Sequence, residues 1–171
     1  MNPIISVFGS ARATEASDEY QQARNLGDAL ARAGFAVASG GYGGAMEAVS
    51  RGAQQAGGRV IGVVASAISR KANQWVQETI IVPAWNDRLM KLIQMGEGYV
   101  ALPGGTGTLV ELAVAWEMIH KGLLQPKPLV ALGEFWRPII KHIEAADSNS
   151  TGMICIANNI AAAVDALRFT P

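Results

Sequence analysis

Apolar and polar positions along the chain follow two alternating rhythms. Short apolar runs bounded by glycine or proline fall at Ile4–Phe8, Phe35–Ser39, Val60–Val64, Thr79–Val82, Tyr99–Leu102, Pro128–Leu132 and Met153–Ala157. Their length and punctuation are those of buried strands. Between them the period changes. From Tyr20 to Ala33 the positions Tyr20, Ala23, Leu26, Leu30 and Ala33 recur every three or four residues, opened by Ser17 or Asp18 and closed by Gly34, which is one face of a helix. Further helices are expected over Ala45–Gln55, from Asn86 as cap to Met95, from near Thr108 to Lys121, over Phe135–Ala146 and over Asn159–Arg168. Ala65 to Glu78 keeps no clean period and reads as a mobile connection of the kind that often covers a site. Strand and helix alternate without repeat or linker, so the expected fold class is α/β, a doubly wound parallel sheet in three α/β/α layers. Ligands bind such sheets beyond the carboxyl ends of the strands.

A length of 171 residues suits one domain, taken here as 1–171. Fourteen basic and fourteen acidic residues cancel. No global field draws in nucleic acid or an anionic membrane, and any nucleotide has to be held locally. No apolar run reaches spanning length and the N-terminus enters a strand almost at once, so a cytoplasmic protein is expected. Cys155 stands alone; it excludes an intrachain disulfide and reads as a small buried hydrophobe in a late strand.

Candidate chemistry enters with two glycine clusters, each between a strand and a helix. Tyr99–Leu102 is stopped by Pro103, and Gly104, Gly105, Thr106 and Gly107 lead toward a helix beginning near Thr108. Bare backbone N–H groups and the positive end of the helix dipole suit a phosphate there. Gly40, Gly41, Tyr42, Gly43 and Gly44, ahead of Ala45 and Met46, form a second turn of that size. Small residues at Ala45, Ala48, Gly52 and Ala53 let the following helix approach the sheet closely. Glu111 lies one turn inside the first of these helices. It has two readings, a functional carboxylate or the partner of Thr108 in a capping box.

Several chemistries are disfavoured. Met46 in GYGGAM and Val110 in GTGTLV occupy the sixth position, where a dinucleotide fingerprint has Gly or Ala. Neither a P-loop nor a GxSxG elbow occurs. His120 and His142 lack further ligands at metal spacing and read as exposed helix residues, so no metal and no cofactor is expected.

Pro103–Glu111, PGGTGTLVE, resembles the PGGxGTxxE signature of the LONELY GUY (LOG) family, and Gly40–Met46 looks like that family's GGxxGLM turn. Val7–Ser10 is similar to its opening strand and turn, and Arg88 stands where its Arg–Lys pair begins. The resemblance covers nearly the whole chain. It implies a Rossmann-like fold, usually a homodimer, and a phosphoribohydrolase that cuts a nucleoside 5′-monophosphate into base and ribose 5-phosphate, with cytokinin nucleotides, and so cytokinin biosynthesis, as its usual setting. Arg88 and Glu111 are then the catalytic residues. Gly9, Ser10, Gly40, Gly41, Gly43, Gly44, Met46, Gly104, Gly105, Thr106, Gly107 and Thr108 bind substrate. Two departures bear on substrate: Leu89 replaces the lysine, and Glu47 replaces a glycine. Lys91, one turn on, is a candidate replacement cation. Nothing marks a Schiff-base lysine, so a lysine decarboxylase is rejected.

A carboxylate at Glu111 fits the positive charge that builds on ribose as an N-glycosidic bond breaks, and Arg88 fits ribose or phosphate oxygens. Trp75 and Trp85 are candidates to stack a purine, or else apolar anchors. The alternative from another class is a non-catalytic carrier of a nucleotide or a pterin-type cofactor. The helix after Gly107 is apolar almost all round, so a homodimer that covers its outer face is expected.

Overall fold

The computed structural model describes residues 2–168. Among them a seven-stranded, all-parallel sheet has the order β4-β3-β2-β1-β5-β6-β7. The strands are β1 (Ile4–Phe8), β2 (Ala36–Ser39), β3 (Val60–Ala65), β4 (Glu78–Val82), β5 (Gly98–Ala101), β6 (Leu129–Leu132) and β7 (Cys155–Ala157). The helices are α1 (Asp18–Arg32), α2 (Ala45–Gln55), α3 (Trp85–Met95), α4 (Thr106–His120), α5 (Arg137–Ala146) and α6 (Ile160–Arg168). The doubly wound three-layer expectation is met.

The strands are apolar because both sheet faces are covered. Ile5, Val7, Val37 and Val100 pack with α1, α2 and α6 on one side, while Phe8, Ala38, Tyr99 and Ala101 pack with α3, α4 and α5 on the other. Ser17 caps α1 by accepting from the Tyr20 N–H, as its position suggests, and Tyr20, Ala23, Leu26 and Leu30 are its buried face. Some of the small residues of α2 serve a different contact from the one expected. Gly52 lies against α1, where an added Cβ would come 1.9 Å from the Arg24 carbonyl oxygen, and Gly27 makes the reciprocal approach to Val49. The closest approach of α2 is therefore helix to helix as well as helix to sheet.

Three local expectations change. Helix α3 is capped at Ala84, whose N–H donates to the Asp87 carboxylate at 3.2 Å, and not at Asn86. Cys155 is exposed, because β7 is a short edge strand with a neighbour on one side only. The connection from β3 to β4 is tied down where mobility was expected: the Asn73 N–H donates to Gly41 O at 2.7 Å and its side-chain amide to Tyr42 O at 3.0 Å.

Strand order reverses at β1, which lies between β2 and β5. Phe8 pairs with Ala101, so the loops leaving β1 and β5 open side by side. Such a switch point is where doubly wound sheets form a crevice.

Candidate active site

A cleft of about 640 Å³ occupies this switch point. Gly9 to Arg12 form one wall, Gly105 to Thr108 and Glu111 another, and Tyr42, Met46, Ile68, Trp85 and Arg88 complete it.

Arg88 reaches the cleft because the first turn of α3 is pinned by Asp87 and the next residue points inward. It is only 6% exposed. Its Nε donates to Val63 O at 2.9 Å and to Gly40 O at 3.3 Å, and Nη2 lies 3.4 Å from the Met46 sulfur. Nη1 stands 3.7 Å from the Glu111 carboxylate, close enough to pair electrostatically but too far for a short hydrogen bond. A guanidinium has five N–H donors. The donors on the Nη1 side therefore keep capacity for an incoming oxygen.

Helix α4 begins at Thr106 with Gly105 as its cap and no side chain completing the cap. This removes the capping reading of Glu111. Thr108 is the third helical residue and Glu111 the sixth, beyond the first-turn N–H groups that a capping box satisfies. The exposed Gly105–Gly107 segment presents the uncapped turn to the cleft, with the positive end of a 15-residue helix behind it.

Burial pushes the Glu111 carboxyl up to about 7 from the ordinary value near 4.5, and the nearby Arg88 charge offsets only part of that rise. Arg88 is itself shifted down, by burial first, with Glu111 and Tyr42 opposing. Glu111 is thus poised to exchange a proton near neutrality. The sign for stability follows. A raised carboxyl contributes its full stability below about 4.5 and loses it as pH rises through about 7. The loss is on the order of 3 kcal/mol for a shift of this size. Thermal melts across pH 4 to 8 should show this decline in the wild type and a flatter profile in Glu111→Gln; parallel profiles would refute the assignment.

Of the anticipated site residues, the cleft gathers Gly9, Ser10, Met46, Gly105, Thr106, Gly107, Thr108, Arg88 and Glu111. Gly40, Gly41, Gly43 and Gly44 do not line it. An added Cβ on Gly40 would sit 1.4 Å from Arg88 Nη2, and Gly41 and Gly44 take positive φ values of 72° and 67° in the turn. Gly104 packs on Thr108 and lines a smaller neighbouring pocket with Pro103. Trp85 lines the cleft, but Trp75 does not: it lies under Arg51 of α2, 5.1 Å from the guanidinium carbon. Leu89 is buried in the core below α3, and Lys91 is exposed outside the cleft. Arg12, Tyr42 and Ile68 were not anticipated. Tyr42 was hidden inside a turn read for its glycines, and Arg12 directly follows a turn whose first residues were already in view. Ile68 lies in the Ala65–Glu78 connection that was expected to cover a site, but nothing marks it as the residue that does.

Comparison with known proteins converges on this architecture. The sequence profile of the SLOG cluster4 family matches residues 2–164. A cytokinin riboside 5′-monophosphate phosphoribohydrolase of Rhodococcoides fascians is 32% identical over 148 residues, spanning 83% of this chain and 74% of that protein. The cytokinin riboside 5′-monophosphate phosphoribohydrolase LOG of Oryza sativa subsp. japonica is 33% identical over 153 residues, 85% of this chain and 61% of its own length. Among solved structures, the molybdenum cofactor binding protein from the phototrophic bacterium Rippkaea orientalis superposes with a TM-score of 0.81 at 26% identity, covering 98% of this chain and 96% of the other.

Proposed function

The chain belongs to the SLOG cluster4 family and to the LOG relatives within its reach, and from that premise we propose that it is a phosphoribohydrolase acting on a nucleoside 5′-monophosphate. The observation that carries the reading is the buried Arg88–Glu111 pair lining one cleft together with an uncapped helix N-terminus. The phosphate lies on the N–H groups of the Gly105–Thr108 turn and the Ser10 side of the cleft, and Arg88 meets ribose or phosphate oxygens.

In the reaction, a bond forms between water oxygen and the anomeric carbon as the bond from that carbon to the base nitrogen breaks. The base leaves with the electron pair and takes up a proton. The Glu111 carboxylate stabilises the cationic sugar and accepts the proton of the attacking water. A carboxyl near 7 exists substantially in both forms at neutral pH, which suits that exchange. The test is chromatography of base released from a panel of nucleoside monophosphates, with cytokinin nucleotides and AMP in the panel. Adenosine should bind much more weakly than AMP by calorimetry, since the helix terminus and Arg88 act on the phosphate; equal affinity would refute this site.

A carrier of a pterin-type cofactor is the second reading. It is favoured by the near-complete overlap, in both directions, with the molybdenum cofactor binding protein. Leu89 lends it no support, because that side chain lies in the core and not in the cleft. Base release separates the two.

The active unit in this proposal is a homodimer. Helix α4 buries Leu112, Ala115 and Trp116, while Leu109, Val110, Val114 and Met118 stay only partly covered, and Ile139 and Ile143 of α5 are 40% and 43% exposed beside it. A second copy covers that face. Light scattering at micromolar concentration should give twice the 18.0 kDa chain mass; a monomer would overturn the dimer.

A further inference from the structure

Tyr42 takes no part in the chemistry above, yet it touches both the cation of the site and the segment that overhangs it. Its ring lies 5.2 Å from the Arg88 guanidinium carbon. Gly40 closes in on the same guanidinium so tightly that a Cβ there would fall 1.4 Å from Nη2. The Nε bonds to Val63 and Gly40 fix the root of the guanidinium but leave its Nη1 end, the end toward Glu111, without a short hydrogen bond. An aromatic face beside a desolvated cation holds it electrostatically where no hydrogen-bond acceptor stands.

The other end of the side chain serves a different element. The Tyr42 hydroxyl accepts from the Ala65 N–H at 2.9 Å, and its own proton has the carbonyls of Ser69 at 3.1 Å and Ala65 at 3.3 Å within reach. It therefore fastens the start of the β3–β4 connection, the stretch that carries Ile68 over the cleft. Asn73 fastens its far part to the backbone of the same turn, donating to Gly41 O and Tyr42 O. These two attachments run to Gly41 and Tyr42 of the turn beside Arg88, while the Ser66 and Ala67 N–H groups donate separately to the carbonyls of Val82 and Pro83.

We propose that Tyr42 is a positioning residue: its ring holds the Arg88 guanidinium toward Glu111, and its hydroxyl sets the overhanging connection, so one side chain registers the cation and the roof of the cleft to each other. The catalytic consequence rests on the phosphoribohydrolase reading; the geometry does not.

The Glu111 titration reports the ring's role without any turnover. The charged or titratable side chains lining the cleft with Glu111 are Arg88 from α3, Arg12 from the loop after β1 and Tyr42 itself. Arg88 draws the Glu111 carboxyl downward against burial. A guanidinium released from the ring approaches Glu111 less closely, and the carboxyl rises further.

The experiment follows the carboxyl carbon of Glu111 by NMR in the ligand-free protein, together with amide exchange over residues 66–77. Tyr42→Leu should raise the Glu111 midpoint by roughly half a unit or more, and Tyr42→Phe should leave it in place while speeding exchange in the connection. Tyr42→Met gives the ring test a second variant if the leucine form does not fold. With base release as a further readout, Tyr42→Phe should keep most of the turnover and Tyr42→Leu should lose about tenfold in kcat/KM. A folded Tyr42→Leu or Tyr42→Met protein with an unmoved Glu111 midpoint overturns the ring's role, and unchanged exchange in Tyr42→Phe overturns the hydroxyl's. A shifted midpoint in the variants, with no base released by the wild type, would sustain the positioning and reject the hydrolase.

Discussion

Replacing Glu111 with Gln is expected to cut base release by roughly a hundredfold or more, the usual scale for one preorganised electrostatic group or general base. The side chain sits at the sixth position of α4 and caps nothing, so the helix keeps its start. The amide keeps the shape and loses both the charge and the ability to take a proton from water. Nucleotide affinity should change far less, because the proposed phosphate contacts are the helix terminus and Arg88, not Glu111. The wild-type kcat/KM should fall on the acid side with a midpoint near the raised value of about 7, since the proposed general base acts in its ionised form. The residual activity of the variant should lack that limb. Full turnover in Glu111→Gln, or an acid limb that survives the substitution, would show that the carboxylate is not the reacting group.

Arg88→Ala is expected to lower both turnover and monophosphate affinity, because a contact already made in the ground state is lost with the transition state's. The same change strands the carbonyls of Val63 and Gly40 and removes the cation beside Glu111. A stability loss of roughly 1–3 kcal/mol follows from the buried acceptors left unpaired. Glu111 limits the damage by protonating, so the acid limb of any remaining activity should move to higher pH. Arg88→Lys should rescue poorly: one ammonium cannot keep the two Nε bonds and still offer a planar face to Tyr42. Calorimetry with AMP and a thermal melt check both parts. Wild-type affinity in a folded Arg88→Ala protein would remove Arg88 from the site.

Fold class was legible because its cause is local and repeated. Seven short apolar runs alternating with helical periods leave a doubly wound parallel sheet as the arrangement that buries both faces of every strand. The glycine turns, Arg88 and Glu111 were legible as residue types at meaningful spacing. Their assembly was not, since the two candidates lie on different helices, and only the order β2-β1-β5 opens the crevice between them. Helix onset decided the role of Glu111. A start at Thr106 and not near Thr108 moved it out of the first turn.

Burial was the other property that the one-dimensional pattern could not assign. Cys155 and Trp75 are apolar in type, but an edge position exposes the first and a contact with Arg51 takes the second away from the cleft. Tyr42 lay in plain view within GGYGG, and its meaning came only with Arg88 against its ring and the β3–β4 connection on its hydroxyl. By itself, the sequence determined the elements, their alternation and the chemical types available. Tertiary structure decided which types meet, which are buried and how far a carboxyl is shifted, because those depend on long-range packing and desolvation, to which a residue's neighbours along the chain contribute little.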